Sequence, residues 1–226
     1  MRCPICGSRE FKGYNGREAA RCAGCGALER TRFQYMLMTR MQLLRPGMRI
    51  LHIAPEPALG KLFHSLSGPL YHAADIDPVR LSGHGFPVHR IDLCCDLEVM
   101  PRYLFDLIVH NHVLEHIPCS VSATLKQLQE LLRPGGYHIF SVTFRGRTTD
   151  EDLNDIPVEE RVARFGQSDH MRIFGTDDFP STCSELGIEI IDPYHWLTPA
   201  ELHGAGVPYK RGDRPSGHSQ FLGRRY

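Results

Sequence analysis

The sequence lacks any long hydrophobic run, and this absence argues against a membrane protein. In 226 residues no stretch of about 18 residues is both apolar and uncharged, as a membrane-spanning helix would require. The first ten residues, MRCPICGSRE, also lack the apolar core of a signal peptide. Internal repeats and low-complexity tracts are missing as well. We therefore expect a soluble cytoplasmic protein with one main domain and room for a small appendage.

The chain also lacks net charge, but its charges are unevenly distributed. Residues 1–45 contain nine Lys and Arg against three Asp and Glu, and residues 201–226 contain five against two. Between them, residues 46–200 contain twelve basic residues against twenty-one acidic ones. A basic end suits contact with nucleic acid or an acidic partner, and a simply solvated surface explains it equally well. Composition therefore leaves a nucleic-acid partner open.

Four of the eight cysteines form a metal-type pattern near the N-terminus. The pairs CPIC and CAGC are separated by 15 residues, the spacing at which two short turns bring four thiolates around one tetrahedral zinc ion. A glycine follows each pair, where the backbone must bend closely around sulfur. Four thiolates leave no open coordination position, so we expect a structural zinc in an N-terminal ribbon (residues 1–27). Its predicted ligands are Cys3, Cys6, Cys22 and Cys25.

The other four cysteines show no comparable pairing. They are Cys94, Cys95, Cys119 and Cys183. The chain is too long for a miniprotein held together by disulfides, so we expect these side chains to be reduced thiols and not metal ligands.

After the ribbon, the pattern indicates a linking helix and then an α/β domain. Residues 28–45 carry apolar side chains near helical spacing and end at Arg-Pro-Gly. From residue 46 to 226, apolar strand-like stretches alternate with helical ones, which is typical of a doubly wound, mostly parallel sheet. The predicted helices are 57–66, 120–132 and 176–187, and the predicted strands are 48–54, 70–76, 87–93, 105–111, 137–144, 188–192 and 219–225.

Polar residues follow the fourth of these strands in the stretch FDLIVHNHVLEHIP (105–118). In parallel sheets, ligands bind at the carboxyl ends of the strands. Histidine, asparagine and glutamate side chains at this position can therefore meet a ligand instead of being buried. The stretch predicts a binding site at this edge of the sheet.

The order of four motifs resembles the class I S-adenosylmethionine-dependent methyltransferases, particularly the type 11 group. The motifs are YHAADIDP, RIDL, FDLIVHNHVLEHI and LQELLRPGGYHIFSV, and the resemblance covers roughly residues 46–192. It implies S-adenosylmethionine as cofactor and a seven-stranded Rossmann-like sheet. It also implies that the last strand is antiparallel and lies between the fifth and sixth, which suits SQFLGRR near the C-terminus.

The resemblance implies a set of cofactor-binding residues. Asp75, followed by Ile76, matches the acidic position that accepts hydrogen bonds from the ribose hydroxyls, as a carboxylate can. Asp92 and Leu93 match the pair beside the adenine, with Asp96 as a competing candidate for the acid. The methionine end of the cofactor is expected beside Asn111 and His112.

One loop departs from the family pattern. Where the family has an acidic residue and a glycine-rich turn, this chain has LHIAPEPALG at 51–60. Two prolines here fix a rigid turn. We interpret the loop as a variant in which Glu56 supplies the carboxylate for the ammonium group of the cofactor. The cofactor residues predicted in this loop are His52, Ala54, Pro55 and Glu56.

A second polar cluster lies in RFGQSDHMRIFGTDDF (164–179), inside a predicted lid segment (residues 146–175). We expect Asp169 to orient His170 for work on the methyl acceptor. A base is needed only where the acceptor must lose a proton, and histidine suits that role near neutral pH. The predicted bases are His112, His116 and His170, and the predicted acceptor-binding residues are Gln167, Asp169, His170 and Arg172.

Three hypotheses of function follow from these observations. The first is a methyltransferase for a small or polar metabolite, such as a sugar or peptide precursor. The second is an RNA methyltransferase that uses the basic ribbon for docking. The third is a non-catalytic zinc-ribbon binding protein whose cofactor site has decayed at the variant loop.

Overall fold

The computed structural model describes residues 1–209 and 214–226. It contains six α-helices in the described part of the chain: α1 Glu29–Arg40, α2 Pro57–Ser67, α3 Val121–Leu131, α4 Val158–Phe165, α5 Asp178–Glu185 and α6 Pro199–Gly204. Its strands are β1 Phe11–Tyr14, β2 Arg17–Cys22, β3 Ile50–Ile53, β4 Tyr71–Asp75, β5 Val88–Arg90, β6 Phe105–Asn111, β7 Leu132–Ser141, β8 Asp150–Glu151, β9 Arg172–Ile173, β10 Ile188–Ile190 and β11 Phe221–Arg224.

Seven strands form the central sheet in the order β10-β11-β7-β6-β3-β4-β5. β11 pairs antiparallel with both β7 and β10, whereas β3, β4, β5, β6 and β7 are mutually parallel. The strand order reverses between β3 and β6, so the chain leaves these two strands toward opposite sides of the sheet. The predicted α/β fold, with its mostly parallel seven-stranded Rossmann-like sheet and antiparallel last strand, is confirmed.

Two apolar layers cover the two faces of the sheet, as the alternation of side chains along each strand requires. On β3, Leu51 packs in one layer with α3 and α5, while Ile50 packs in the other with α1, α2 and α6. Both faces of the central strands are therefore buried. Polar side chains can reach solvent only at the strand ends, and this is where the candidate site lies.

Arg32 joins the N-terminal ribbon to the rest of the molecule. This residue of α1 is fully buried. Its Nη1 donates to the carbonyls of Ala20 and Ala27, both at 2.8 Å, while Nε and Nη2 donate to Ala205 at 2.7 Å and Gly206 at 2.8 Å. One guanidinium thus satisfies four carbonyls from the ribbon and from the segment after α6.

A disulfide connects Cys94 and Cys119, with 5.8 Å between their Cα atoms. The prediction of reduced thiols is wrong for this pair and holds for Cys95 and Cys183. The two half-cystines lie 25 residues apart in sequence, and no local spacing marks them. They meet because the loops after β5 and β6 lie side by side at the edge of the sheet.

Within residues 1–209 and 214–226, no helix has the length and apolar character needed to cross a membrane.

Candidate functional site

A cavity of about 580 Å³ opens at the carboxyl edge of the sheet, beside the ends of β3, β4 and β6. We call it the strand-end cavity. Its lining includes eight of the residues predicted from the sequence, and they come from five separate segments of the chain. They are Ala54, Asp75, Ile76, Asp92, Leu93, His112, His116 and Asp169.

Asp75 ends β4 and is 2 % exposed. Its Oδ1 accepts from the backbone N–H of Asp77 at 2.8 Å, and its Oδ2 accepts from Arg80 Nη2 at 2.8 Å. Arg80 also lines the cavity, and its side chain is 57 % exposed. The arginine can therefore swing toward solvent and free the carboxylate for two hydroxyl donors.

The loop after β5 distinguishes between the two candidate acids. Asp92 lines the strand-end cavity, and its Oδ1 accepts from the N–H of Cys94 at 2.9 Å. Asp96 instead accepts from the N–H of Asp92 at 2.8 Å. Asp96 therefore braces the loop, while Asp92 and the apolar Leu93 beside it face the cavity.

The variant loop after β3 makes a turn with a left-handed backbone conformation without using glycine. Ala54 lies in the left-handed region, with φ of 48°, and its N–H donates to the carbonyl of Ala74 at 2.8 Å. This conformation costs a non-glycine residue roughly 1–2 kcal/mol. Strain of this kind persists where the surroundings fix it, and it is common at ligand sites. Ala54 therefore supplies the turn that glycine makes in the family pattern.

The other residues selected in this loop do not line the cavity, which corrects their assignment. His52 shares the face of β3 that carries Ile50, so its ring lies in the core, where Nδ1 is 3.0 Å from the hydroxyl of Tyr71. Burial lowers the pKa of His52 to about 3. Pro55 is also buried.

The carboxylate of Glu56 binds side chains of the linking helix and does not line the cavity. Its Oε1 accepts from Thr31 Oγ1 at 2.9 Å and pairs with Arg30 at 3.1 Å, and its Oε2 accepts from Asn111 Nδ2 at 2.9 Å. Asn111 is itself buried, and its Oδ1 accepts from Ser141 at 2.7 Å. The carboxylate predicted for a ligand thus fixes α1 to the ends of β3 and β6.

His112 lines the cavity, but its chemistry differs from the prediction. It has a left-handed φ of 53°, and its Nε2 donates to the carbonyl of Gly217 at 2.9 Å. Burial lowers the pKa of His112 to about 3. An imidazole with so low a pKa is a weak base at neutral pH, which argues against the predicted role of His112 as general base.

Two residues of the lid segment also require correction. Arg172 is fully buried, and its Nη1 donates to the carbonyls of Leu114 at 2.6 Å and Ile117 at 2.7 Å. Its Nη2 donates to the carbonyl of Cys119 at 3.1 Å. Arg172 therefore fastens the lid segment to the loop after β6 and is not available to an acceptor. Gln167 is exposed and does not line the cavity.

His116, Asp169 and His170 meet at the rim of the strand-end cavity. Nδ1 of His116 lies 3.2 Å from Oδ2 of Asp169, and the two imidazole rings stand edge-on with centroids 4.7 Å apart. Asp169 therefore contacts His116, and not His170 as predicted from the sequence. Nδ1 of His170 donates instead to the carbonyl of Phe165 at 3.1 Å. Burial lowers the pKa of His170.

Sequence reasoning missed two features of the cavity wall. Arg80 follows Asp75 by five residues, a spacing at which a long side chain can reach back to the carboxylate. The disulfide is the second, and its Cys94 lines the cavity. Only the three-dimensional arrangement of two loops could have shown that pair.

The four cysteines of the ribbon have a geometry that fits zinc. Sγ of Cys3 lies 3.6 Å from that of Cys25, and Sγ of Cys6 lies 3.5 Å from that of Cys22. All four sulfurs lie within 4.8 Å of one another. A tetrahedral zinc with bonds of about 2.3 Å places its sulfurs about 3.8 Å apart. The donor set and spacing therefore fit a structural zinc ion.

Comparison with known proteins gave one family and several similar folds. A family model described as a methyltransferase domain matches residues 71–192, more than half of the chain. A search of the curated proteins found no match. An S-adenosylmethionine-dependent methyltransferase from Mesorhizobium loti is 17 % identical over 84 % of this chain and 95 % of its own, with a TM-score of 0.54.

Two similar structures hold ligands. The 1,6-didemethyltoxoflavin-N1-methyltransferase of Burkholderia thailandensis, with 1,6-didemethyltoxoflavin and S-adenosylhomocysteine, is 15 % identical over 86 % of this chain and 76 % of its own, with a TM-score of 0.50. Phosphoethanolamine N-methyltransferase 2 of Haemonchus contortus, with phosphomonomethylethanolamine and S-adenosylhomocysteine, is 12 % identical over 86 % of this chain and 53 % of its own, with a TM-score of 0.51. At these identities the likeness concerns the fold.

Proposed function

Because the chain belongs to the family of methyltransferase domains and is an S-adenosylmethionine-dependent enzyme, we propose that its methyl acceptor is a small polar molecule. The observation that carries this proposal is the packing of the lid segment against the loop after β6, at the edge of the strand-end cavity. The lid segment is fastened there by buried Arg172 and by the N–H of Met171, which donates to the carbonyl of Glu115 at 2.7 Å. A cavity of about 580 Å³ has the size of a small-molecule site, and it therefore suits a cofactor and a metabolite better than a polymer.

Within the strand-end cavity, the cofactor has one orientation that the side chains favour. The Asp75 carboxylate would accept from the ribose hydroxyls, and Asp92 and Leu93, which also line the cavity, would hold the adenine. Ala54 and His112, which line the same cavity, would hold the methionine end, with His116 on the side of the acceptor. Methyl transfer is an in-line displacement at carbon, and the protein promotes it chiefly by aligning the two partners and excluding water.

Substituting Asp75 with alanine is expected to weaken binding of S-adenosylhomocysteine about 10- to 100-fold. The reason is that a hydrogen bond to a charged group contributes about 1.5–3 kcal/mol, and 1.4 kcal/mol is tenfold in affinity. Isothermal titration calorimetry of the folded variant measures this change. Arg80→Ala should keep or improve the affinity, because Arg80 competes for the same carboxylate.

Asp106→Ala serves as the matched control for that titration. Asp106 is also a carboxylate of a central strand paired with arginines, but it lies at the opposite edge of the sheet, near the start of β6. Its loss should leave the affinity unchanged. Equal weakening in Asp75→Ala and Asp106→Ala would remove the ribose role from Asp75.

The charges of the N-terminal region argue against RNA as the acceptor. Arg17 pairs with Glu29, Arg40 with Glu201, and Arg45 with Asp106. Arg30 pairs with Glu56, and Arg32 is buried. Five of the nine basic residues in this region are therefore paired with acidic residues or buried. Their charge is little available to a phosphate backbone. The acceptors in the two complexes above, 1,6-didemethyltoxoflavin and phosphomonomethylethanolamine, are small molecules, which supports the same choice.

A radiolabel experiment can test the acceptor class. The protein is incubated with a low concentration of S-[methyl-³H]adenosylmethionine and either total RNA or the low-molecular-mass filtrate of a cell extract, with Asp75→Ala as the control that binds the cofactor weakly. We expect label to enter the small-molecule fraction only. Label in RNA, absent with Asp75→Ala, would contradict the proposal and favour docking through the ribbon.

A further inference from the structure

Three potential metal ligands converge at the rim of the strand-end cavity, far in sequence from the ribbon cysteines. One ligand atom each from His116, Asp169 and His170 lies within 4.8 Å of the other two. His116 comes from the loop after β6, and the other two come from the lid segment. The cluster therefore forms only when the lid segment packs on the sheet edge.

His170 carries the observation that points to a ligand. The side chain is 98 % buried, and Nδ1 donates its proton to the carbonyl of Phe165. This hydrogen bond fixes the neutral tautomer in which Nε2 holds a free lone pair. Among the described residues, this buried Nε2 has no hydrogen-bond partner. Such an orphaned acceptor is costly, and a bound ion would explain it.

His116 and Asp169 complete a recognisable donor set. Both line the cavity, and Nδ1 of His116 lies 3.2 Å from Oδ2 of Asp169. Two imidazole nitrogens and one carboxylate oxygen suit zinc, ferrous iron, cobalt or nickel. An ion with three protein ligands keeps coordination positions open, and two of the three ligand residues, His116 and Asp169, line the cavity.

We infer that His116, Asp169 and His170 bind one divalent transition-metal ion, and that an oxygen atom of the methyl acceptor occupies an open position on it. This inference deepens the proposed function and rests on it for the acceptor, but metal binding itself needs no acceptor. A hydroxyl held in this way loses its proton to solvent more readily. Its oxygen lone pair then forms the bond to the methyl carbon, and the electrons of the breaking carbon–sulfur bond stay on sulfur as S-adenosylhomocysteine leaves.

Cobalt binding by the zinc-loaded full-length protein tests this inference directly. Co²⁺ is added in excess, and the unbound Co²⁺ is then removed by desalting. Elemental analysis should find one cobalt and one zinc per chain. The visible spectrum should lack the thiolate-to-cobalt charge-transfer band that a four-cysteine site gives. In titrations followed by that spectrum, Asp169→Asn and His170→Ala should each weaken cobalt binding at least about tenfold and retain the zinc.

Controls separate this outcome from a folding defect and from failure of the proposed function. His203→Ala, an exposed histidine of α6, should bind cobalt as the unchanged protein does. Asp169 is 67 % exposed at its side chain, so Asp169→Asn is expected to fold. Absence of a second metal, or cobalt binding unaffected by both variants, would overturn the inference while leaving cofactor binding intact.

Discussion

Replacing Cys22 with serine is expected to abolish zinc binding and, at a distance, to weaken binding of S-adenosylhomocysteine. Structural zinc contributes about 10–16 kcal/mol to the folding of small zinc domains, so the ribbon should unfold without it. The ribbon cysteines Cys3 and Cys22 pack on Ala58 of α2, next to the variant loop. Loosening that contact should lower the affinity about 2- to 30-fold, the range of coupling through packed elements. Elemental analysis and calorimetry give the two readouts.

Cys95→Ser is the matched control for this prediction. Cys95 is an exposed free thiol in the loop after β5. Its substitution should change neither the zinc content nor the affinity for S-adenosylhomocysteine. Zinc retained by Cys22→Ser would show that the ligand set is wrong. Zinc lost with unchanged affinity for S-adenosylhomocysteine would show that the ribbon does not brace the site.

Acidification from pH 7.5 to 5.5 is expected to destabilise the protein by several kcal/mol. His52 and His138 are fully buried, and burial lowers the pKa of each to about 3. His110 shifts in the same direction, with its Nε2 2.9 Å from that of His138. The unfolded chain takes up protons at these residues below about pH 6.5, whereas the folded chain does not.

The direction of this change follows from the pKa values of His52 and His138, which are lower in the folded chain than in the unfolded chain. The contribution of each neutral histidine to the free energy of unfolding is present in full above about pH 6.5. It is lost as the pH falls toward the folded-state pKa of about 3. At pH 5.5 His52 and His138 should each have removed about 1.4 kcal/mol from the free energy of unfolding. Burial raises the pKa of Glu115, so this single group acts in the opposite direction.

Urea unfolding at a series of pH values measures this dependence in a window that lies above the unfolded pKa of the carboxylates. His52→Gln should flatten the profile by the share of one histidine, whereas His64→Gln, at an exposed position of α2, should not. A free energy of unfolding that stays constant from pH 7.5 to 5.5 would contradict the burial of these rings as neutral groups.

The sequence predicted the fold well because its signals were long and mutually consistent. Helix 57–66 appears as Pro57–Ser67, and strand 105–111 appears with the same bounds. The last strand, predicted over 219–225, is limited to Phe221–Arg224 by its pairing with β7 and β10. Strand ends depend on neighbours that no local pattern contains.

The candidate site was predicted less completely, for a physical reason. The sequence shows that Asp75 and Asp92 lie at strand ends, where ligands bind, and both residues line the cavity. It does not show which polar groups the fold itself uses. Glu56, Asn111 and Arg172 are consumed by buried hydrogen bonds to elements far away in sequence, such as the linking helix and the lid segment.

A crystal structure of the complex with S-adenosylhomocysteine tests the central claim most directly. The account predicts that the ribose hydroxyls displace Arg80 from Asp75, that the adenine lies beside Asp92 and Leu93, and that the sulfur points toward His116. A nucleoside bound outside the strand-end cavity, or one bound within it while Asp75 still pairs with Arg80, would contradict it.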